Sequence, residues 1–441
     1  MYLKLSIRNA RRSFMDYLLY IAAMTVLFAI IEVSDCIAVL GGSSGFQVIS
    51  LPLLTAAIQI VLAGYIDSFL LKQRAKEFAN YLLLGMEKKK LTRLFLCEVL
   101  LIGFCCCLAG TTIGFAVYGF WYFREPLHEM KYYGFLYGKS LFMTFLFFCF
   151  IEAVCSFRLK WRLSKLQIRD LMYEKSRSQG IMNIEIYKKW GCTFLFSFAC
   201  FIGCVCGIVF LPEAYIVYPV SAAAIPLFVS VFAFYRWMFG CLYAQRRMCS
   251  VQIYHKDRLY MIADMTSNFK TSAIVNTVFS ICLLFSACSF ITGALMLHPE
   301  FQLFDRAVQQ WMGTAQISIC IMFLVVYFSI LSLHQLIELR QNAKSNHIMR
   351  CMGKNNRQIE RLVNQQILIK LISPMIMVLL IILLCIPLLN GKMNLIVPAS
   401  LNQILLRLAG EFGVCILFFY TCYFAIVSAM SKCYIYPSAD M

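Results

Sequence analysis

The sequence predicts an all-α polytopic membrane protein with about ten transmembrane helices and both termini on the cytoplasmic side. Of its 441 residues, 61% are hydrophobic and only 14% are charged. The apolar residues fall in blocks that reach the roughly 20 residues a helix needs to cross a bilayer. Because lipid offers the backbone no hydrogen-bond partner, such blocks are predicted to be helices. The ten blocks cover about 17–40, 51–71, 97–120, 140–157, 192–211, 215–239, 274–296, 313–333, 367–389 and 404–430.

The predicted orientation follows from the basic residues, which cytoplasmic connections carry in excess. With the N-terminus inside and ten alternating spans, 34 of the 40 Lys and Arg residues fall on the cytoplasmic side. One span more or fewer would destroy this asymmetry. The residues left outside are Arg124, Lys131, Lys139, Arg306, Lys392 and Arg407.

The net charge of +18 and the 21 cysteines have simple explanations in such a protein. The basic residues are spread over the inner connections and form no aromatic-studded basic face, so no nucleic-acid partner is predicted. The cysteines include no CxxC pair and no Cys/His cluster at metal-ligand spacing, so no metal site is predicted. The sequence has no GxxxxGK[ST] loop and no HExxH, so we expect neither a catalytic residue nor a nucleotide site in this chain.

The connection between the second and third spans has an unusual sequence, "AKEFANYLLLGMEKKK". Phe78, Tyr81 and Leu82 recur at helical spacing opposite a polar face that includes Lys76. This pattern predicts a short amphipathic helix at the cytoplasmic surface. Gly85 is predicted to end it in the left-handed conformation, where a side chain is penalised. The alternative is an ordinary loop whose basic residues only anchor the neighbouring spans.

A second copy of this connection follows at an offset of 268 residues. Gly353 then corresponds to Gly85, and Lys344 to Lys76, in the stretch "AKSNHIMRCMGKNNRQ". Each copy follows one span and precedes two more, so spans 2–4 and 8–10 are predicted to be pseudo-equivalent units. The predicted divisions are an interfacial helix at 1–16, a first half at 17–157 with its unit at 51–157, a cytoplasmic link plus spans 5–6 at 158–273, and a second half at 274–441 with its unit at 313–430.

Three stretches resemble ABC-transporter permeases of the FtsX-like type. "RAKEFANYLLLGMEKKKLTRLFLCEVLLIG" resembles the FtsX-like permease signature. "YLKLSIRNARRSFMDYLLYIAAMTVLF" is similar to the start of bacitracin-exporter-type permeases, which serve defence against cell-wall-targeting peptides. "IELRQNAKSNHIMRCMGKNNRQIERLVNQQILIKLISP" resembles the second copy in that branch. The resemblance implies a multi-pass protein of the bacterial plasma membrane.

The resemblance further implies that both connections dock a cytoplasmic ABC ATPase dimer, whose two equivalent faces two copies could meet. ATP would then be bound by that partner, and this chain would hold no cofactor of its own. Further partners would be a sensor histidine kinase or a second permease, and membrane lipid. The large extracellular domain expected between spans 7 and 8 is replaced by a short segment, 297–311. The implied ATPase-coupling residues are Lys76, Phe78, Tyr81, Leu82, Gly85, Lys344 and Gly353.

The predicted function is that of a permease subunit. It would couple a partner ATPase to export or membrane removal of an amphiphilic peptide or lipid-linked compound, in antimicrobial-peptide resistance. The alternative is an FtsX-like mechanotransmission protein that regulates an envelope enzyme or a sensor kinase without transporting substrate. An ATP-independent carrier is disfavoured, because no acid or histidine is predicted at the membrane midplane and Glu32 and Asp35 are predicted to end the first span.

Candidate substrate contacts lie at the predicted outer edge of the membrane: Tyr132, Tyr133, Arg407 and Glu411. Arg407 could meet a phosphate or carboxylate of a substrate. Each candidate has an alternative role. The tyrosines also suit an aromatic belt at the membrane surface, and Arg407 and Glu411 have the i,i+4 spacing at which they could pair with each other.

Overall fold

The structure is a computed structural model, and it describes ten stretches of the chain. They are 14–40, 75–122, 133–165, 184–210, 217–247, 258–267, 269–299, 301, 306–396 and 404–435. Within the second predicted span it also describes 56, 59, 60, 63, 64, 67 and 71, all of them helical. Every regular element in these stretches is an α-helix, which confirms the all-α polytopic fold.

The helices are numbered here in chain order, and their bounds are as follows. They are α1 (Phe14–Leu40), α2 (Ala75–Leu83), α3 (Lys88–Tyr122), α4 (Tyr133–Lys165), α5 (Ile184–Phe210), α6 (Val217–Arg247), α7 (Arg258–Ser267), α8 (Phe269–Leu297), α9 (Arg306–Cys351), α10 (Asn356–Ile396) and α11 (Ile404–Ile435).

Eight of the described helices are long and apolar enough to cross a membrane, and they coincide with predicted spans three to ten. Helix α1 covers the first predicted span with 27 residues, and the second span is described only at the positions given above. The count of ten therefore stays a prediction, as does the inside location of both termini. The interfacial helix predicted at 1–16 lies almost wholly outside the described residues.

The chain divides into two compact units, and the first extends from Met1 to Arg177. In this unit α1 packs against α3 and α4, and α2 packs against the start of α3. Gly110 and Gly114 let α3 approach α1 closely, because a Cβ on either would lie 2.8 Å or less from an α1 atom. Small residues four apart commonly bring membrane helices together in this way.

The second unit extends from Ser178 to Met441 and is built around α8. Helix α8 contacts α6, α7, α9, α10 and α11, and its middle turns are buried almost all round. A helix that is apolar on every face is expected at the centre of a membrane bundle. The short helix α7 precedes it, at the place where the sequence suggests a second interfacial helix, and packs against α6.

Helix α10 contains a proline at a point where the neighbouring helices donate hydrogen bonds to its backbone. Pro374 cannot donate the usual helical hydrogen bond. The hydroxyl of Tyr235 on α6 donates to Ser373 O at 3.2 Å, and Ser280 Oγ on α8 donates to Pro374 O at 3.3 Å. These side chains bind α10 to α6 and α8 beside the proline.

Candidate functional site

The first helix–turn element, residues 75–87, consists of α2 and the turn that follows it. Phe78 is 1% exposed and meets Phe95 of α3 edge to face, with ring centroids 5.3 Å apart. Tyr81 and Leu82 are half-buried, and the side chain of Lys76 lies outside the described residues. Phe78 therefore packs α2 onto α3 and does not lie on the surface that a partner would touch.

The apolar residues that this element does expose are the next two leucines. Leu83 is 61% exposed and Leu84 is 84% exposed, at the end of α2 and in its turn. They lie next to Lys88, Lys89 and Lys90, which are exposed as well. An apolar pair beside a basic cluster is the kind of surface that a second protein can cover. Sequence periodicity did not select these leucines, because it assigned the apolar stripe to Phe78 and its helical neighbours.

The turn of the first element has the hydrogen bonds of a Schellman motif. The N–H of Met86 donates to Tyr81 O at 3.0 Å, and the N–H of Gly85 donates to Leu82 O at 3.2 Å. Gly85 has φ +91°, as the sequence predicts. Helix α3 begins directly after this turn, so the change of direction depends on one residue in the left-handed region.

The second helix–turn element, residues 343–355, has the same turn 268 positions later. The N–H of Lys354 donates to Met349 O at 3.1 Å, the N–H of Gly353 donates to Arg350 O at 3.0 Å, and Gly353 has φ +92°. Helix α9 ends at Cys351 and α10 begins at Asn356, each 268 residues after the matching bound of the first element. The two turns therefore share their backbone geometry as well as their spacing.

The two elements differ in how they are built and packed. The second is the end of α9, one continuous helix of 46 residues, and the side chain of Lys344 lies outside the described residues. Its exposed apolar residues are Ile348 (58%) and Met352 (73%), and Met352 corresponds to Leu84. Where the first element buries Phe78, the second buries Asn346, whose Oδ1 has no hydrogen-bond partner among the described residues. A buried amide oxygen without a partner weakens packing.

A cluster of charged residues joins α7, α9 and α10 near the second element. Lys370 Nζ donates to Glu338 Oε2 at 2.7 Å and to Asp264 Oδ2 at 3.1 Å. His334 Nδ1 lies 3.6 Å from Glu338 Oε2, and Asn342 Nδ2 donates to Asp264 Oδ1 at 3.2 Å. The side chains of Lys370, Glu338 and Asp264 are between 13% and 21% exposed, so these charges are largely removed from solvent.

The sequence contained a signal for this cluster that its basic-residue count missed. Lys370 falls inside the apolar ninth span, but the distribution of Lys and Arg treats it only as one more cytoplasmic cation. His334 and Glu338 are spaced i,i+4 at the end of the eighth span, which places them on one face of a helix. At the matching positions in the first unit the residues are Leu70 and Ile102, so the cluster belongs to the second unit alone.

The first unit buries two acids that the sequence placed at the end of the first span. Helix α1 ends at Leu40, as the predicted span does, and both side chains are buried. Glu32 is 0% exposed and accepts a hydrogen bond from Ser140 Oγ, and Asp35 accepts one from Thr144 Oγ1 at 2.8 Å. The α4 hydroxyls thus each bind one buried α1 carboxyl oxygen and connect the two helices.

The structure places the outer candidate residues as follows. Tyr132 lies outside the described residues, and Tyr133 begins α4 with a side chain that is not described. Arg407 Nε lies 3.3 Å from Glu411 Oε1, with the two side chains 82% and 50% exposed. The two residues pair on the outside of α11. Neither lines a described cavity.

The described part of the segment between α8 and α9 packs against its own unit. Phe301 is 5% exposed in an apolar cluster with Leu295 of α8, Ile386 of α10 and Leu405 of α11. Gln309 Nε2 donates to Met296 O at 2.8 Å and also to Phe301 O. The described part of this connection therefore covers the end of the bundle.

These features can be set beside known protein families. Residues 49–168 match the family model of the FtsX-like permease C-terminal domain. The matched segment is 120 of 441 residues and contains the second predicted span, the whole first helix–turn element, α3 and α4. No curated protein matches the chain. The similarity supports an ABC-transporter permease family, whose members are membrane subunits that work with a cytoplasmic ATPase.

Proposed function

We propose that this chain is the permease subunit of an ABC transporter in which the two helix–turn elements bind a cytoplasmic ATPase. The observation that carries the proposal is the second turn, which has the hydrogen bonds, the positive-φ glycine and the helix bounds of the first at a constant offset of 268. Only the first turn lies within the matched family segment. An internal repeat explains why the second shares its geometry.

The contact surface that we propose consists of Leu83 and Leu84 in the first element and Ile348 and Met352 in the second. Burying an exposed leucine against a partner contributes about 1.5–3 kcal/mol. Phe78 remains part of the proposal as a positioning residue, because its packing on Phe95 sets the angle of α2. Gly85 and Gly353 are proposed positioning residues as well, because their positive φ sets the direction of each turn.

We further propose that the coupled process is export, or removal from the membrane, of an amphiphilic peptide or lipid-linked compound. The segment between α8 and α9 supports transport over mechanotransmission, because it is only eight residues long, 298–305. A regulator of an outer partner would need a surface there for that partner to bind. Recognition of an amphiphile then rests on the spans, with Tyr132, Tyr133, Arg407 and Glu411 as the proposed polar contacts.

Co-expression with each ABC ATPase of the same genome, followed by co-purification, tests the coupling proposal. We expect Leu83→Asp/Leu84→Asp to lose most ATPase binding while the protein still inserts, because the exposed apolar pair becomes charged. The matched control is Glu87→Gln, which changes an exposed side chain at the same turn, leaves both leucines and all three lysines in place, and should bind normally. Full ATPase binding by both Leu83→Asp/Leu84→Asp and Ile348→Asp/Met352→Asp would disprove the coupling role.

A further inference from the structure

A groove opens between α10 and α11 at the end of the second unit that is predicted to face the cytoplasm. Its volume is about 410 Å³. Arg357 and Arg361 lie at one end, both exposed, and Leu368 and Phe424 lie at the other. The amides of Asn364 and Gln365 line the groove between these ends. From Arg357 to Leu368 the α10 wall is about 16 Å long at 1.5 Å per residue.

Two side-chain contacts hold the walls of this groove together. Lys432 Nζ lies 3.1 Å from Glu360 Oε1, and Ser428 Oγ donates to Asn364 Oδ1 at 3.1 Å. The first contact neutralises the one acid that lines the groove, so the two arginines give it a net positive charge. The contact with Ser428 uses the side-chain oxygen of Asn364. Asn364 Nδ2 is then the group that Asn364 can offer to a ligand.

We propose that this groove binds an anionic phospholipid of the adjacent leaflet. The phosphate would lie between Arg357 and Arg361, and an acyl chain would follow Leu368 and Phe424. A guanidinium group can donate two parallel hydrogen bonds to the oxygens of one phosphate. The two arginines are spaced i,i+4, where like charges repel, and an anion between them would relieve that repulsion. The positive end of the α10 dipole lies at the same place, and basic pockets between membrane helices on the cytoplasmic side bind anionic headgroups.

The apolar end of the groove separates a lipid from other anionic ligands. A free phosphate would use the arginines alone and gain nothing from Leu368 or Phe424. A cytoplasmic protein could reach Arg357, which is four residues beyond Gly353. It could not follow the groove to Leu368 and Phe424, because both lie within predicted spans, 367–389 and 404–430, whereas Arg357 precedes the first of these. A lipid with a charged headgroup and an apolar chain matches the whole length.

The first unit provides a matched comparison at the offset of 268. Arg357 and Arg361 correspond to Lys89 and Arg93, so both units carry two cations at this turn. Asn364 and Gln365 correspond instead to Leu96 and Cys97, which lack amide donors. A ligand that only needed two cations near a membrane would bind both places, whereas the proposed lipid needs the amides and the groove of the second unit.

Native mass spectrometry of the purified full chain tests this proposal, with phosphatidylglycerol and phosphatidylcholine of identical acyl chains as probes. We expect one phosphatidylglycerol to be retained preferentially. Arg357→Gln/Arg361→Gln should lower its affinity about tenfold or more, as expected for loss of charge-assisted hydrogen bonds. Phosphatidylcholine retention should not change. The matched control Lys89→Gln/Arg93→Gln should keep phosphatidylglycerol, and Arg361→Gln alone serves if the double variant is not monodisperse in size-exclusion chromatography.

A second arm separates the lipid from its headgroup. Leu368→Asn should weaken phosphatidylglycerol binding severalfold, and soluble glycerophosphoglycerol at equal concentration should not displace the lipid. Displacement by the headgroup would overturn the proposal in favour of a free-phosphate site. Equal retention of both lipids, or an equal loss in the Lys89/Arg93 control, would show nonspecific charge attraction. Loss of ATPase binding by the Arg357/Arg361 variant with unchanged lipid retention would assign the arginines to the protein partner instead.

Discussion

At the scale of single residues, Gly85 and Gly353 show where a side chain costs conformational energy without any clash. Both have φ near +90°, at +91° and +92°, and a Cβ added to either would meet no atom within 4 Å. The penalty for substitution therefore comes from the backbone alone. For an L residue in the left-handed region it is about 1–2 kcal/mol, and asparagine is more tolerant than branched residues.

The residue-scale prediction that follows compares two substitutions at one glycine. We expect Gly85→Val to reduce binding and stimulation of the partner ATPase, because valine disfavours the turn that sets the direction of α2. Gly85→Asn should keep most of the activity. The control is Gly138→Val, at a glycine that is equally open but has no positive φ. Equal activity of Gly85→Val and the control would remove the turn from the coupling mechanism.

The charged cluster of the second unit leads to a prediction about stability. Lys370→Met would leave Glu338 and Asp264 largely buried without their cation, which costs about 3–5 kcal/mol for a buried pair. Thermal unfolding of Lys370→Met in detergent should show a large loss of stability, as a lower Tm than that of the unsubstituted protein. Lys432→Met removes a lysine that is 55% exposed, and should cost at most about 1 kcal/mol. We expect Lys370→Met/Glu338→Gln/Asp264→Asn to recover part of the loss. A similar stability of the two single lysine variants would contradict a structural role for the cluster.

The proposed substrate contact at Arg407 is tested by a neutral substitution. We expect Arg407→Gln to lower the stimulation of ATP hydrolysis by an amphiphilic peptide, while basal hydrolysis and assembly are kept. The pair with Glu411 is so exposed that its loss should cost little stability. Arg306→Gln, at another exposed arginine predicted to lie outside, is the control. Unchanged stimulation in both Arg407→Gln and Tyr132→Ala/Tyr133→Ala would place recognition elsewhere.

At the scale of elements, the two helix–turn elements share a backbone but not a packing surface. The first rests on an aromatic contact between Phe78 and Phe95, whereas the second buries Asn346 at the corresponding position. Aromatic pairs contribute about 0.5–1.5 kcal/mol beyond their buried area. We therefore infer that the first element is held more firmly against its own unit and presents a better-defined surface to the ATPase.

This difference predicts unequal coupling by the two elements. Leu84→Asp should reduce ATPase affinity at least about tenfold, since it replaces a leucine worth roughly 1.5–3 kcal/mol of burial. Met352→Asp, at the matching position, should reduce it less. The measurement is a titration of the purified ATPase against each variant in the same lipid. Equal losses would show that the two elements contribute alike despite their different packing.

At the scale of the whole molecule, the distribution of Lys and Arg leads to a prediction of topology. Reporter fusions at 41–46, 125–130, 300–308 and 391–400 should lie outside, and fusions at 176–180, 246–256 and 345–355 should lie inside. The physical reason is that cytoplasmic connections retain basic residues. Finding any of the inside positions on the outer face would break the ten-span arrangement and separate the two turns across the membrane.

The sequence alone determined the helical membrane fold, the left-handed glycines and the position of both turns. These features depend on local chemistry: the length of apolar blocks, the conformational freedom of glycine and the spacing of a repeated motif. Gly85 could be predicted because a helix end with a glycine after apolar residues has few other conformations.

Only the tertiary structure decided which side of each helix is covered. Helical periodicity assigned Phe78 to an apolar stripe, and the resemblance to FtsX-like permeases implied that this stripe docks the ATPase. A 3.6-residue repeat does not reveal whether the partner of an apolar stripe is another protein or the next helix. Packing on Phe95 resolved that choice and left Leu84 exposed. The partners of Lys370 on α7 and α9 were hidden for the same reason, since they come from residues 32 and 106 positions away in the chain. Contacts over such distances depend on how the helices pack, which no local pattern specifies.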